Sequence, residues 1–271
     1  MSRVLVTGAA SGLGEALVRA FRARGDDVLS TDVAFEVTGS RDGRRATSST
    51  SDGLRLDVTS DADWASARAW IDEHWGGLDV LVNNAGVAGG GRIDVAGMDE
   101  WRWIIEVDLL GVVRGCRTFA PVFKRQRSGR IINVASLAGL VHPAGMASYN
   151  AAKAGVVALT ETLGHELSAY GVTAHVVCPS YFRTNLLSSL RGADEAVGAV
   201  VKELVEGSPV TADEIAAAVL AGLDAGDELI LPDPMARAAY EQKVGDRPAY
   251  DAQLRRQAAR LDELGRAGAG D

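Results

Sequence analysis

Short runs of β-branched and other apolar residues recur along the chain. They fall at residues 3–7, 27–31, 53–56, 78–82, 130–134, 172–178 and 228–231. Each run has the length and composition of a buried strand. Between most of them apolar positions return every three or four residues, as over 14–24, 61–75, 101–125 and 148–170. That period is helical. Strands alternating with helices predict βαβ units, a parallel sheet of about seven strands, and helices on both of its faces.

Two stretches depart from this alternation. Residues 34–53 are rich in Ser, Thr, Gly and Arg with little apolar periodicity, and predict a mobile loop in place of the second crossover helix. Residues 233–271 are charged in both signs and favour helix, with Leu254, Ala258, Leu261 and Leu264 as one apolar stripe. The simplest reading of that stripe is a surface helix or an arm on a neighbouring subunit. The expected organisation is one α/β domain over 1–232, with a helical flap near 183–207, and a C-terminal helical extension over 233–271.

Composition narrows the function. The 271 residues are 47% hydrophobic, and the net charge is −8. A negative chain has no attraction for phosphate backbones, so a nucleic-acid partner is not expected. No run approaches the roughly 18 apolar residues that span a bilayer, and the start lacks a basic-then-apolar leader, so a cytoplasmic protein without a membrane partner is expected. Cys116 and Cys178 both sit in apolar surroundings and read as reduced, buried thiols. No metal site is expected.

The first strand runs directly into Thr7-Gly8-Ala9-Ala10-Ser11-Gly12-Leu13-Gly14 and then a helix. Gly8, Ser11, Gly12, Leu13 and Gly14 form a turn whose backbone N–H groups and helix N-terminus suit a pyrophosphate. Asp32 ends the second strand, 18 residues after Gly14. A carboxylate there accepts hydrogen bonds from adenosine ribose hydroxyls and repels a 2′-phosphate, which points to NAD. Arg44 and Arg45 keep NADP open as the alternative. Tyr149 and Lys153 lie four apart in a helical pattern, so they share a face. A lysine cation stabilises a neighbouring phenolate, and the tuned phenol can exchange a proton while hydride moves. Ser136, at the end of a strand, can hydrogen-bond a substrate oxygen.

Together these segments resemble the short-chain dehydrogenase/reductase family, over residues 1 to about 232, with its Rossmann-type, doubly wound α/β fold. The resemblance rests on the glycine turn, on Asp57-Val58 after the third strand, and on Asn83-Asn84-Ala85-Gly86 after the fourth. It also rests on Ser136, on Tyr149-Asn150-Ala151-Ala152-Lys153, and on Pro179-Ser180-Tyr181-Phe182-Arg183-Thr184. It implies Ser136, Tyr149 and Lys153 as the catalytic set. It implies cofactor contacts from Asp57, Val58, Asn83, Ala85, Gly86, Tyr149, Lys153, Pro179, Phe182 and Thr184. Lys153 would bind the nicotinamide ribose and Thr184 the carboxamide. It also implies a small alcohol or ketone substrate and a homodimer or homotetramer. For assembly, the long helical patterns point the same way, with Val112, Val113, Val156, Val157 and Leu163 expected on an outer apolar face. Two positions differ from the family. Asp108 stands where it places a catalytic Asn, and Ser180 where it places Gly. The expected activity is hydride transfer between NAD(H) and a largely apolar alcohol or ketone. The alternatives are an NADP-linked ketone or acyl-thioester reductase and a non-catalytic nucleotide-binding scaffold.

Overall fold

The computed structural model describes residues 1–36, 53–184 and 191–268. The loop expected at 34–53 lies almost wholly outside them, as do Leu186, Leu187 and Leu190 of the expected flap. Seven strands form one wholly parallel sheet: β1 (Arg3–Thr7), β2 (Asp27–Asp32), β3 (Leu54–Arg55), β4 (Val80–Asn83), β5 (Gly129–Val134), β6 (Val172–Val177) and β7 (Leu229–Ile230). Their order is β3-β2-β1-β4-β5-β6-β7. The order reverses between β1 and β4, and that point opens a crevice at the strand ends.

Both faces are covered because both faces of every central strand are apolar. Helix α1 (Gly12–Ala23) packs on one face together with a later helix, α8 (Ala212–Ala225), around Val4, Val6, Leu17, Phe21, Val219 and Leu223. The other face carries α2 (Asp61–His74), α4 (Gly111–Gln126) and α6 (Ala147–Leu167) around Leu5, Trp64, Phe119 and Val156. Of the residues expected on an outer face, Val113 is half-buried and the other four are core. Val112, Val156, Val157 and Leu163 are all at most 9% exposed. Each long helix turns these residues toward the sheet, so they do not make the outer apolar face expected for pairing copies.

Residues 98–126 do not form one regular helix. A helix α3 (Met98–Ile105) passes through a π-helical turn, Glu106–Leu110, before α4 begins. Such turns insert one residue and re-aim the side chains within them. Here the turn carries Asp108 inward to 0% exposure. A short α5 (Ala138–Val141) follows β5, and α7 (Glu195–Glu206) supplies the described part of the expected flap.

The C-terminal extension is two helices, α9 (Pro234–Gly245) and α10 (Arg247–Gly268). Asp233 caps α9 by accepting from Ala236 N at 2.8 Å. It also accepts from Ser180 N at 2.9 Å and from the Ser180 hydroxyl at 2.6 Å, while only 2% exposed. Ser180 thereby ties the segment after β6 to the extension, a bond that glycine has no side chain to make. No helix is long and apolar enough to cross a membrane among the described residues.

Asp233→Ala removes a cap and leaves the half-buried Ser180 N–H and hydroxyl without this acceptor. A loss of about 2–3 kcal/mol is expected. Urea unfolding followed by circular dichroism measures it, and a loss below about 0.5 kcal/mol contradicts the buried role of this carboxylate.

Candidate active site

The crevice at the β1–β4 reversal broadens into a cleft of about 1560 Å³. Sites for single small ligands are usually about 300–1,000 Å³, so this one has room for a larger molecule with a second beside it. Its floor begins at the glycine turn. Gly8 has φ +66°, a left-handed conformation that glycine adopts without cost. Gly14 lies so close to the Gly8 carbonyl that a Cβ there would be 2.0 Å from the oxygen. Any side chain at 14 would force α1 away from the turn. Ser11, the N-cap of α1, makes no side-chain cap hydrogen bond. The first N–H groups of the helix are therefore left to a ligand, and an anion is favoured there.

Asn84 braces this turn. Its amide donates to Thr7 O at 2.9 Å and Gly8 O at 3.2 Å, while the Thr7 hydroxyl accepts from Asn84 N and Ala85 N, both at 3.0 Å. Asp32 sits at the other side of the turn. It accepts from Ala10 N at 3.0 Å and from Ala34 N at 2.8 Å, which fixes the carboxylate at the cleft.

At the far end of the cleft, β5 delivers Ser136 and α6 delivers Tyr149 and Lys153. Tyr149 is 8% exposed and Lys153 is 4% exposed, with Lys153 Nζ 5.5 Å from the Tyr149 ring centre. Behind them, Asp108 Oδ2 lies 3.6 Å from Lys153 Nζ, and Oδ1 accepts from Val87 N at 2.8 Å. Burial of Lys153 lowers its pKa, but Asp108 and then Tyr149 raise it more, so the amine is held above its ordinary value as a cation. Burial pushes the Tyr149 phenol up. Lys153 pulls it down, Asp108 pushes it up, and a Ser136 hydrogen bond pulls it down, with the net direction upward. The cation that was expected to lower this phenol does so, but burial outweighs it.

The structure brings most of the expected residues to one surface. Gly8, Ser11, Gly12, Leu13, Gly14, Asp32, Ala85, Gly86, Ser136, Tyr149, Lys153, Pro179, Phe182 and Thr184 all line the cleft. Four do not. Asp108 acts from behind Lys153. Asn83 is 2% exposed and donates inward to Asn133 at 2.8 Å. The Asp57 carboxylate accepts from Thr59 N and its hydroxyl, and the Val58 carbonyl accepts from Trp64 Nε1, so both serve the chain around α2. Arg44 and Arg45 lie outside the described residues. His142 is exposed beside Lys243, off the cleft surface. Burial pushes both cysteines up to about 12, as expected of inert thiols.

The sequence reading missed two features of the site. One is the Asn84 brace, signalled only by its place in the Asn-Asn-Ala-Gly segment. The other is the extension, whose Tyr250, Leu254, Leu261 and Leu264 line the cleft.

Comparison with known proteins agrees with this geometry. The family model for short chain dehydrogenases matches residues 2–195. The chain is 34% identical over 215 residues to 3-oxoacyl-[acyl-carrier-protein] reductase FabG of Salmonella typhimurium, covering 79% of this chain and 86% of the relative. A short chain dehydrogenase/reductase from Burkholderia phymatum, solved in complex with NAD, has a TM-score of 0.81 and 29% identity, covering 90% and 93% of the two chains. One from Burkholderia cenocepacia, solved in complex with NADP, has a TM-score of 0.77 and 26% identity, covering 93% and 97%. The parallel sheet, the glycine turn at its reversal and the matched sequence agree: the chain belongs to the short-chain dehydrogenase family, oxidoreductases that work with a nicotinamide cofactor.

Proposed function

We propose that this protein transfers a hydride between NAD(H) and the carbinol or carbonyl carbon of a small, largely apolar alcohol or ketone. The observation that carries the reading is the convergence of Ser136, Tyr149 and Lys153 at one end of a cleft whose other end is the uncapped α1 turn. When bound, the nicotinamide supplies the site that gives or takes the hydride. The chain supplies the proton traffic and the positioning. Tyr149 takes the hydroxyl proton of an alcohol, or returns it to the oxygen of a ketone. Ser136 donates to that oxygen as its charge changes. The Lys153 cation favours the phenolate, against the burial that disfavours it. Apolar walls from Leu137, Val141, Met146 and Val197 exclude water around the reacting carbon.

Asp32 supports NAD, because its fixed carboxylate occupies the space that a 2′-phosphate needs. The second reading, an NADP-linked ketone or acyl-thioester reductase, draws on the likeness to the acyl-carrier-protein reductase and to the NADP complex. A scan of secondary alcohols of graded size for NADH formation tests the reaction directly. Assembly as a homodimer or homotetramer is proposed from the family resemblance alone.

Three outcomes are expected. NAD should exceed NADP by at least about tenfold in kcat/KM, on the order of 1.4 kcal/mol. Steady-state kinetics with both cofactors decides this, and equal or better use of NADP supports the second reading. Tyr149→Phe should lower kcat by roughly 10² or more while NADH still binds in a fluorescence titration. Near-parental turnover in a chemistry-limited assay would remove Tyr149 as the acid/base and favour the scaffold.

The third concerns Asp108, proposed as a positioning residue acting through Lys153. Its carboxylate raises both the lysine and the phenol. Asp108→Asn removes that charge, so Tyr149 deprotonates more readily. Activity is expected to be kept or raised, with the basic limb of the kcat/KM profile moved to lower pH. Paired pH profiles in one buffer series read the change. Loss of activity with the limb moved upward contradicts the electrostatic argument, and an unchanged profile makes the carboxylate purely structural.

A further inference from the structure

The family match stops at residue 195, yet the cleft continues beyond it. On its open side run α7 and α10. Val200, Val201 and Leu204 line it from α7, and Leu254, Leu261 and Leu264 from α10. The α10 positions fall at steps of seven and three and share one helical face. That face is the apolar stripe read in the sequence, and it is turned to the chain's own cleft.

The extension is anchored on both sides of the opening. Near its start, the Tyr250 hydroxyl donates to Val141 O at 2.6 Å, and the ring packs with Leu137, Val141 and Ala236. These contacts grip the segment that follows Ser136. Before that, Asp233 holds Ser180, beside the cofactor end. Toward the other end of α10, Leu261 is buried in one cluster with Met146, Tyr149, Val197 and Val201. Arg92 pairs with the buried Asp194 at 2.8 Å and reaches Asp262 at 3.4 Å. Thus α10 spans from the Ser136 segment to α7, and its middle lies along the opening.

Two large apolar side chains remain open there. Leu204 is 42% exposed and Leu264 is 45% exposed. Single exposed leucines are ordinary on a surface. These two belong to the two helices that border one cleft, and the same cleft is lined by the buried Tyr149. The polar groups at the same mouth are Glu203, Gln257 and Arg260. Apolar lining inside and polar residues at the rim are the anatomy of a site for an apolar ligand.

We propose that the space between α7 and α10 is a tail subsite. It receives the hydrocarbon tail of a secondary alcohol or ketone whose oxygen-bearing carbon lies at Tyr149. The inference rests on the reaction proposed above and gives its substrate class: an oxygenated carbon that carries a chain of several further carbons. The extension, which lies beyond the residues that the family model matches, then sets the substrate length.

The test separates the subsite from the reaction. A ketone and an oxidised cofactor cannot react, so binding is read without turnover. 2-Butanone and 2-decanone are titrated by calorimetry into the intact protein saturated with NAD, or with NADP if that binds tighter. Each buried methylene contributes about fourfold in affinity, so 2-decanone is expected to bind at least tenfold tighter. Leu204→Asp and Leu264→Asp, both at exposed positions that should not disturb folding, are each expected to weaken 2-decanone at least tenfold more than 2-butanone. Val200→Trp, which fills the gap instead of charging it, should do the same. If 2-decanone is preferred and the variants abolish the preference, but no alcohol is oxidised, the reaction fails and the subsite stands. Turnover with equal affinity for the two ketones overturns the subsite. So does a preference that all three variants leave intact, or one accompanied by a changed mass in light scattering, which would give this face to a second copy.

Discussion

The pair of contacts between Thr7 and Asn84 holds the site together. Strands β1 and β4 are neighbours whose helices leave on opposite faces, so their ends must part. The Thr7 hydroxyl and the Asn84 amide bridge that parting with four hydrogen bonds to backbone. They fix Gly8 and, through its carbonyl, the closeness of Gly14. The α1 N-terminus is aimed into the cleft by the same constraint. Without the brace, the turn would have to find other partners for buried backbone groups, at a cost of about 1–3 kcal/mol for each left unpaired. The anion site at one end of the cleft therefore depends on a hydrogen-bond pattern that itself touches no ligand.

At the other end the constraint is electrostatic. Tyr149, Lys153 and Asp108 are all buried, and each charge there is tolerated only because of the next. Asp108 keeps Lys153 a cation, and Lys153 favours the phenolate that burial opposes. The π-helical turn makes this possible, because it points Asp108 at the lysine while α3 and α4 continue on either side. The carboxylate that steadies the lysine also raises the phenol. The two demands on this site conflict, and the balance between them sets the pH at which Tyr149 exchanges its proton.

Much of this was legible in the sequence. Strand and helix alternation gave the sheet, and the spacing of Tyr149 from Lys153 put both on one face of α6. The turn from strand to helix at Gly8–Gly14 was equally plain, because local conformation decides it. What failed was judgement about which face of an element meets what. Val112, Val156 and Leu163 read as an outer surface, since apolar periodicity says that a helix buries one side without saying against which partner. The π-helical turn at Asp108 was invisible, because an inserted residue leaves an apolar pattern that still resembles an unbroken helix. The cofactor contacts of Asn83 and Asp57 are proposals from resemblance; within the chain their side chains bond to the core and to the α2 entry.

The extension shows the same limit in its most consequential form. Leu254, Leu261 and Leu264 were recognised as a stripe, and a stripe requires only some apolar surface to cover. Two tertiary features select the chain's own cleft as that surface. Ser180 offers its hydroxyl to the buried Asp233 beside the cofactor end, and Arg92 reaches across to Asp194 and Asp262. Both are contacts between residues far apart in sequence, and neither leaves a periodic signal. The reacting groups come from the segment that the family model matches, whereas the outer wall comes from the helices after residue 195. Changes on the exposed face of α10 can therefore alter which substrate fits without disturbing Ser136, Tyr149 or Lys153, because the helix meets their surroundings through Leu261, Leu254 and Tyr250.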